Sequence, residues 1–64
     1  MSAFPDKIRI THFGWSEDRG AYKVQLGTAD VTVAYAWVAG GVGDRTAHET
    51  AMQIAERICE GWNA

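Results

Sequence analysis

The sequence predicts an α+β fold: a three-stranded antiparallel β-meander, at about 7–13, 21–26 and 31–39, packed on one C-terminal α-helix at about 47–60. Three observations predict it. Apolar and polar residues alternate through the first half of the chain, as in half-buried strands. The connections between those stretches are too short for crossover units and suit antiparallel neighbours. The last third holds a single run of apolar residues at helical spacing.

The first strand is drawn from Lys7, Ile8, Arg9, Ile10, Thr11, His12 and Phe13, with Ile8 and Ile10 inward and Lys7, Arg9 and Thr11 outward. Gly14 to Gly20, which carries Glu17, Asp18 and Arg19 between its glycines, reads as a loop. In the second strand Tyr22, Val24 and Leu26 share one face, and Lys23 and Gln25 the other. Gly27, Thr28, Ala29 and Asp30 make a short hairpin connection. The third strand is rich in β-branched and aromatic residues and ends at the Gly40-Gly41-Val42-Gly43 break. Thr46 and Glu49 then have the spacing of a capping box. Ala47, Ala51, Ile54, Ala55, Ile58 and Trp62 form the expected inward stripe, and Gly61 is the expected stop.

A chain of 64 residues is expected to form one domain, spanning 1–64. At this size folding buries only about 60% of the surface the unfolded chain exposes, so the core has little to spare. Cys59 is the single cysteine, which excludes an internal disulfide and fits a reducing, cytoplasmic setting. Met1 to Asp6 carry no apolar signal core, and no stretch approaches the length of a membrane span. The formal charge of −2 creates no strong field to recruit nucleic acid, and a hydrophobic content of 47% argues against disorder.

No catalytic, metal or cofactor site is predicted. The glycine loop lacks the third glycine of a dinucleotide fingerprint and the Gly-Lys-Ser/Thr of a P-loop, and Asp44 would repel an anion there. His48 and Cys59 lie eleven residues apart on the helix, about 16 Å at roughly 1.5 Å per residue, too far to share an ion. Cys59 sits in the last helical turn beside Glu60, where the helix dipole disfavours a thiolate. Glu49, Glu56 and Glu60 lie on the outer helix face with no cleft to tune them.

Two surfaces remain, and both point to binding. Residues 31–43 carry no charge, and a sheet with one helix has a lid for only one face. The apolar edge expected to meet a partner is Ala34, Ala36 and Val38, joined by Phe13 and Trp15. On the helix, Glu49, Gln53, Glu56 and Glu60 recur at i, i+4, i+7 and i+11, an acidic stripe facing solvent. The leading expectation is therefore a non-enzymatic protein-binding module.

In its small size, β-meander, capped helix from Thr46 to Glu60 and mild acidity, the chain resembles phage-encoded anti-defence inhibitors, anti-CRISPR proteins among them. That resemblance implies an inhibitor that occupies a surface of a larger nucleic-acid-handling complex in the host cytoplasm. That class shares no common motif, so no site is transferred to any position. A three-stranded sheet backed by one helix also looks like the AP2 and integrase-arm DNA-binding modules, whose open sheet face enters the major groove. This second resemblance implies a reading face of Lys7, Arg9, Lys23, Gln25 and Thr32. Thr46-Ala47-His48-Glu49-Thr50-Ala51 is similar to the helix start of HicB-type antitoxins, which implies a homodimer.

Overall fold

Hairpin pairing and one long helix account for every element of the computed structural model, which describes residues 5–64. The order is β1 (Arg9–Ser16), β2 (Ala21–Gly27), β3 (Thr32–Ala39) and α1 (Arg45–Asn63). The strands form an antiparallel sheet in the order β1-β2-β3, and α1 lies across one face of it. The three-strand meander with a C-terminal helix stands as the sequence predicts. The residues 1–4 invoked in reading the N-terminus lie outside the described residues. No described helix is long and apolar enough to cross a membrane.

The first strand runs further than its sequence suggests. A β-bulge between Ile10 and His12 adds Thr11 as an extra residue and shifts the alternation by one. Ile10 opposite Leu26, Phe13 opposite Val24 and Trp15 opposite Tyr22 therefore share the helix side. Gly14 and Trp15 belong to the strand rather than to a loop, and the turn shrinks to Glu17–Gly20, closed by Gly20 at φ 58°.

The core gathers Ile8, Tyr22, Val24, Leu26, Ala47, Ala51 and Ala55, with Val24 and Leu26 fully buried. The helix meets the sheet through alanines, which bring it close to the strands. A Cβ placed on Gly40 would lie 2.5 Å from that of Ala47. The expected inward stripe is corrected accordingly: Ala47, Ala51 and Ala55 are buried, whereas Ile54, Ile58 and Trp62 are 36–39% exposed.

Both helix ends differ from expectation. The N-cap is Asp44, whose Oδ1 accepts from the Ala47 amide at 3.1 Å, so Thr46 falls inside the first turn and the Thr46–Glu49 capping box does not form the start. Asp44 makes the same type of bond two residues earlier and adds a negative charge at the positive end of the helix. Replacing Asp44 with alanine is expected to cost about 1 kcal/mol, read as a lower midpoint in urea denaturation. At the other end α1 passes through Gly61 to Asn63. The Asn63 amide donates to the Ile8 carbonyl at 2.9 Å and its Oδ1 accepts from the Ile8 amide at 2.8 Å. Lys7 donates through Nζ to the Asn63 carbonyl, and the Trp62 indole donates to the Pro5 carbonyl at 2.9 Å. This clamp replaces the glycine stop.

Candidate functional site

The register decides which side of β3 is covered. Ala34, Ala36 and Val38 lie opposite Leu26, Val24 and Tyr22, all turned toward α1. With Phe13 and Trp15 they are half-buried and pack against the core. The expected apolar partner edge is thus corrected: Ala34, Ala36, Val38, Phe13 and Trp15 line the helix side. The physical reason is size, because an alanine-faced helix lying close to the sheet admits alanines beneath it and has no room for Tyr35 and Trp37. The shortage of lids is nonetheless real. The open side of β3 carries Tyr35 and Trp37, 55% and 42% exposed.

These two rings sit in a cross-strand row with cations. Lys23 lies opposite Trp37, and Gln25 lies between Tyr35 and His12. The Lys23 ammonium stands 4.9 Å from the Tyr35 ring centre and 5.7 Å from that of Trp37. The Arg19 guanidinium, from the β1–β2 turn, covers Trp37 at 4.7 Å. Each exposed cation–π contact contributes about 0.5–1 kcal/mol and holds the cation over the ring plane. Arg9, opposite Gly27, stands at the far end of the sheet, where it lines one depression with Lys7 and Asp30 and another with Glu56 and Glu60.

Among the described residues the three strands themselves carry no carboxylate, although Glu17 and Asp18 share the turn with Arg19 and Asp30 lines a depression with Lys7 and Arg9. Glu17 and Asp18 occupy the β1–β2 turn, Asp30 the β2–β3 turn, and Asp44 the helix cap, while Asp6 precedes β1. Glu49, Glu56 and Glu60 lie on α1, exposed together with Gln53, so the predicted acidic stripe is on the helix layer and the aromatic row on the open sheet face. Of the residues expected to read nucleic acid, Lys23 and Gln25 are on the open sheet face, Arg9 stands at its far end, and Thr32 is exposed at its corner opposite Gly27. Lys7 is not: its ammonium is turned to the end of the helix.

The residues considered for chemistry are kept apart. His12 is on the open side of the sheet beside Gln25. His48 lies on the helix side, edge-on to Phe13 at 4.7 Å and to Tyr22 at 5.6 Å. No three His, Cys, Asp or Glu side chains among the described residues converge to hold a metal. Burial pushes the Cys59 thiol up from its ordinary pKa, and the Glu56 carboxylate adds to that, so the sulfur stays protonated. The glycine loop uses its polar groups internally. Gly43, at φ 82°, donates to the Tyr22 hydroxyl at 3.1 Å, Asp44 donates to the Gly41 carbonyl at 3.0 Å, and the Gly40 carbonyl accepts from the Trp15 indole at 2.8 Å.

Sequence reasoning did not count Tyr35, Trp37 or Arg19 as functional. The signal that marks them is the pairing of two small residues, Ala34 and Ala36, with three alanines on the helix. No family model, curated protein or solved structure matches the chain.

Proposed function

We propose that the chain is a non-enzymatic binding module whose open sheet face takes a single strand of nucleic acid. The observation that carries this reading is the row Arg19–Trp37–Lys23–Tyr35 on a sheet face whose strands carry no carboxylate. Tyr35 and Trp37 are two residues apart on one strand, about 6.6 Å at roughly 3.3 Å per residue, a spacing that suits two successive unstacked bases. Arg9, Arg19 and Lys23 are placed to meet the phosphates beside those bases. Stacking is tolerant of base identity, so broad sequence preference is expected.

The test is a titration of short DNA and RNA single strands against tryptophan fluorescence at several salt concentrations. Three phosphate contacts give a slope of about −2 in log affinity against log salt, so affinity should fall roughly 20-fold between about 50 mM and 200 mM salt. Absence of binding to every strand at the lowest salt, or binding indifferent to salt, would reject the reading.

A second reading is favoured by the exposed stripe of Glu49, Gln53, Glu56 and Glu60. A row of carboxylates on a rigid helix can stand in for a phosphate row, as expected of an anti-CRISPR-type inhibitor that blocks the basic groove of a nucleic-acid-handling complex. On this reading the Glu49→Lys/Glu56→Lys/Glu60→Lys variant loses its hold on that complex while oligonucleotide binding at the sheet stays or strengthens. Retained inhibition by the charge-reversed variant would remove this reading and leave the first untouched.

A further inference from the structure

The free side of β3 is an unguarded strand edge. The Gly40 amide donates to the Gly20 carbonyl at 3.1 Å, and Ala39 lies opposite Ala21, so Ala39 and Ala21 are a non-hydrogen-bonded pair. By alternation Ala36 and Val38 turn their backbone groups to β2. Tyr35, Trp37 and Ala39 turn their N–H and C=O groups to the open edge. From residue 31 to residue 43 there is no charge and no proline, and the sole irregularity in the β2–β3 pairing lies at the Leu26/Gly27 end. The other edge is protected differently: β1 carries Arg9 and the bulge between Ile10 and His12.

The helix flank above this edge carries two exposed isoleucines, with Thr50 and Arg57 beside them. Glu56, Cys59 and Glu60 line a depression together with Ile8, Arg9 and Ile10, so that flank of α1 overlies β1. At about 100° per residue, Ile54 and Ile58 lie on the opposite flank of the Ala51–Ala55 row, above β3. They are 39% and 36% exposed. Strand edge and helix flank thus present a side two layers deep, with Ile54 and Ile58 at its apolar centre and Arg57 at its rim.

We propose that two copies of the chain pair antiparallel along β3, forming a closed dimer with one six-stranded sheet and the Ile54 and Ile58 side chains of the two helices in contact. A lone extended peptide would satisfy the strand edge but leave Ile54 and Ile58 uncovered. A partner with the same two-layer side covers both, and a second copy is such a partner. A two-fold axis pairs β3 with itself, and its uncharged residues bring no like charges together. The eight residues of β3 span about 26 Å, and a sheet plus a helix is about 20 Å deep, so the side measures on the order of 500 Å² in projection. A standard interface buries about 800 Å² of accessible surface per partner, so this side falls at the small end of that class. The guarded β1 edge stops the sheet from growing past two copies.

Sedimentation equilibrium without nucleic acid tests the proposal. The expected mass is twice the 7.0 kDa of the chain. Ile54→Glu/Ile58→Glu, off the sheet face, and Ala39→Lys, which guards the edge, are each expected to return the mass to that of one chain with an unchanged circular dichroism spectrum. A monomeric parent, a chain that assembles beyond two copies, or a dimer that both variants leave intact would overturn it. Oligonucleotide titration of the Ile54→Glu/Ile58→Glu variant reads the sheet face separately, so loss of the dimer and loss of nucleic-acid binding are distinguished.

Discussion

Replacing Gly27 with alanine is expected to leave most of the chain unfolded at room temperature, whereas the same change at Gly41 should be close to neutral. Neither glycine has positive φ, so backbone strain does not separate them. Space does. A Cβ on Gly27 would lie 2.0 Å from the Val31 carbonyl oxygen and 2.9 Å from the Thr32 Cα. Those atoms cannot swing aside as a side chain could, because the Val31 carbonyl accepts from the Thr28 amide at 2.8 Å and Thr32 is paired across the hairpin with Gly27 itself. The Thr28 hydroxyl further fixes the turn by accepting from the amides of Asp30 and Val31 at 3.3 and 3.2 Å. Relief must come from opening the β2–β3 hairpin, next to Leu26 in the centre of the core. Overpacking a yielding site costs about 1–3 kcal/mol, and this site does not yield. A 64-residue chain has only about 3–10 kcal/mol in total at roughly 0.05–0.15 per residue. At Gly41 nothing lies within 4 Å of the added methyl group. Urea titration of both variants by circular dichroism is the measurement, and a folded Gly27→Ala protein with the parent's midpoint would contradict the packing described for this turn.

How much of this was legible in the sequence depends on whether the deciding contact is local. Tyr22, Val24 and Leu26 declared β2 and its buried side by their alternation, and Ala47, Ala51 and Ala55 declared the helix and its inward row. Phe13 and Trp15 did not, since the bulge at Thr11 puts them out of phase with Ile8 and Ile10, and Gly14 between them reads as a break. The far end of α1 was hidden for another reason: Asn63 is held by the backbone of Ile8, 55 residues away in the chain. Asp44 and Thr46 are both good caps by type, and local pattern alone does not choose between them. The face of β3 was the most consequential ambiguity, because both of its sides are apolar. Side-chain volume resolves it: alanine faces alanine across the narrow helix–sheet gap, and the aromatic rings are left outside. The candidate site follows from that packing choice: polarity alone left Ala34, Ala36 and Val38 as the open side of β3, and the structure turns them toward α1.

The double substitution Tyr35→Ala/Trp37→Ala is expected to abolish single-strand binding while leaving the fold in place. Each ring stacked on a base is worth about 1–3 kcal/mol, so loss of both weakens binding by roughly 30-fold at least. The cations lose their support as well. Arg19 and Lys23 are held over Trp37 and Tyr35, and without the rings they are free to move away from the phosphate path. The folded state should tolerate the change because both rings are on the open face, outside the core formed by Val24, Leu26 and the helix alanines. Three controls give the result its meaning. Lys23→Gln keeps the rings and removes one phosphate contact, so it should flatten the salt slope by about 0.7 with a smaller loss of affinity. Glu49→Lys/Glu56→Lys/Glu60→Lys changes the charge on the helix layer and should not imitate the double alanine variant. Tyr35→Phe keeps the ring and should bind nearly as the parent does, because stacking uses the ring rather than the hydroxyl. If the alanine pair binds as tightly as the parent and circular dichroism shows it folded, base stacking on β3 is wrong. The acidic helix then becomes the surface to pursue.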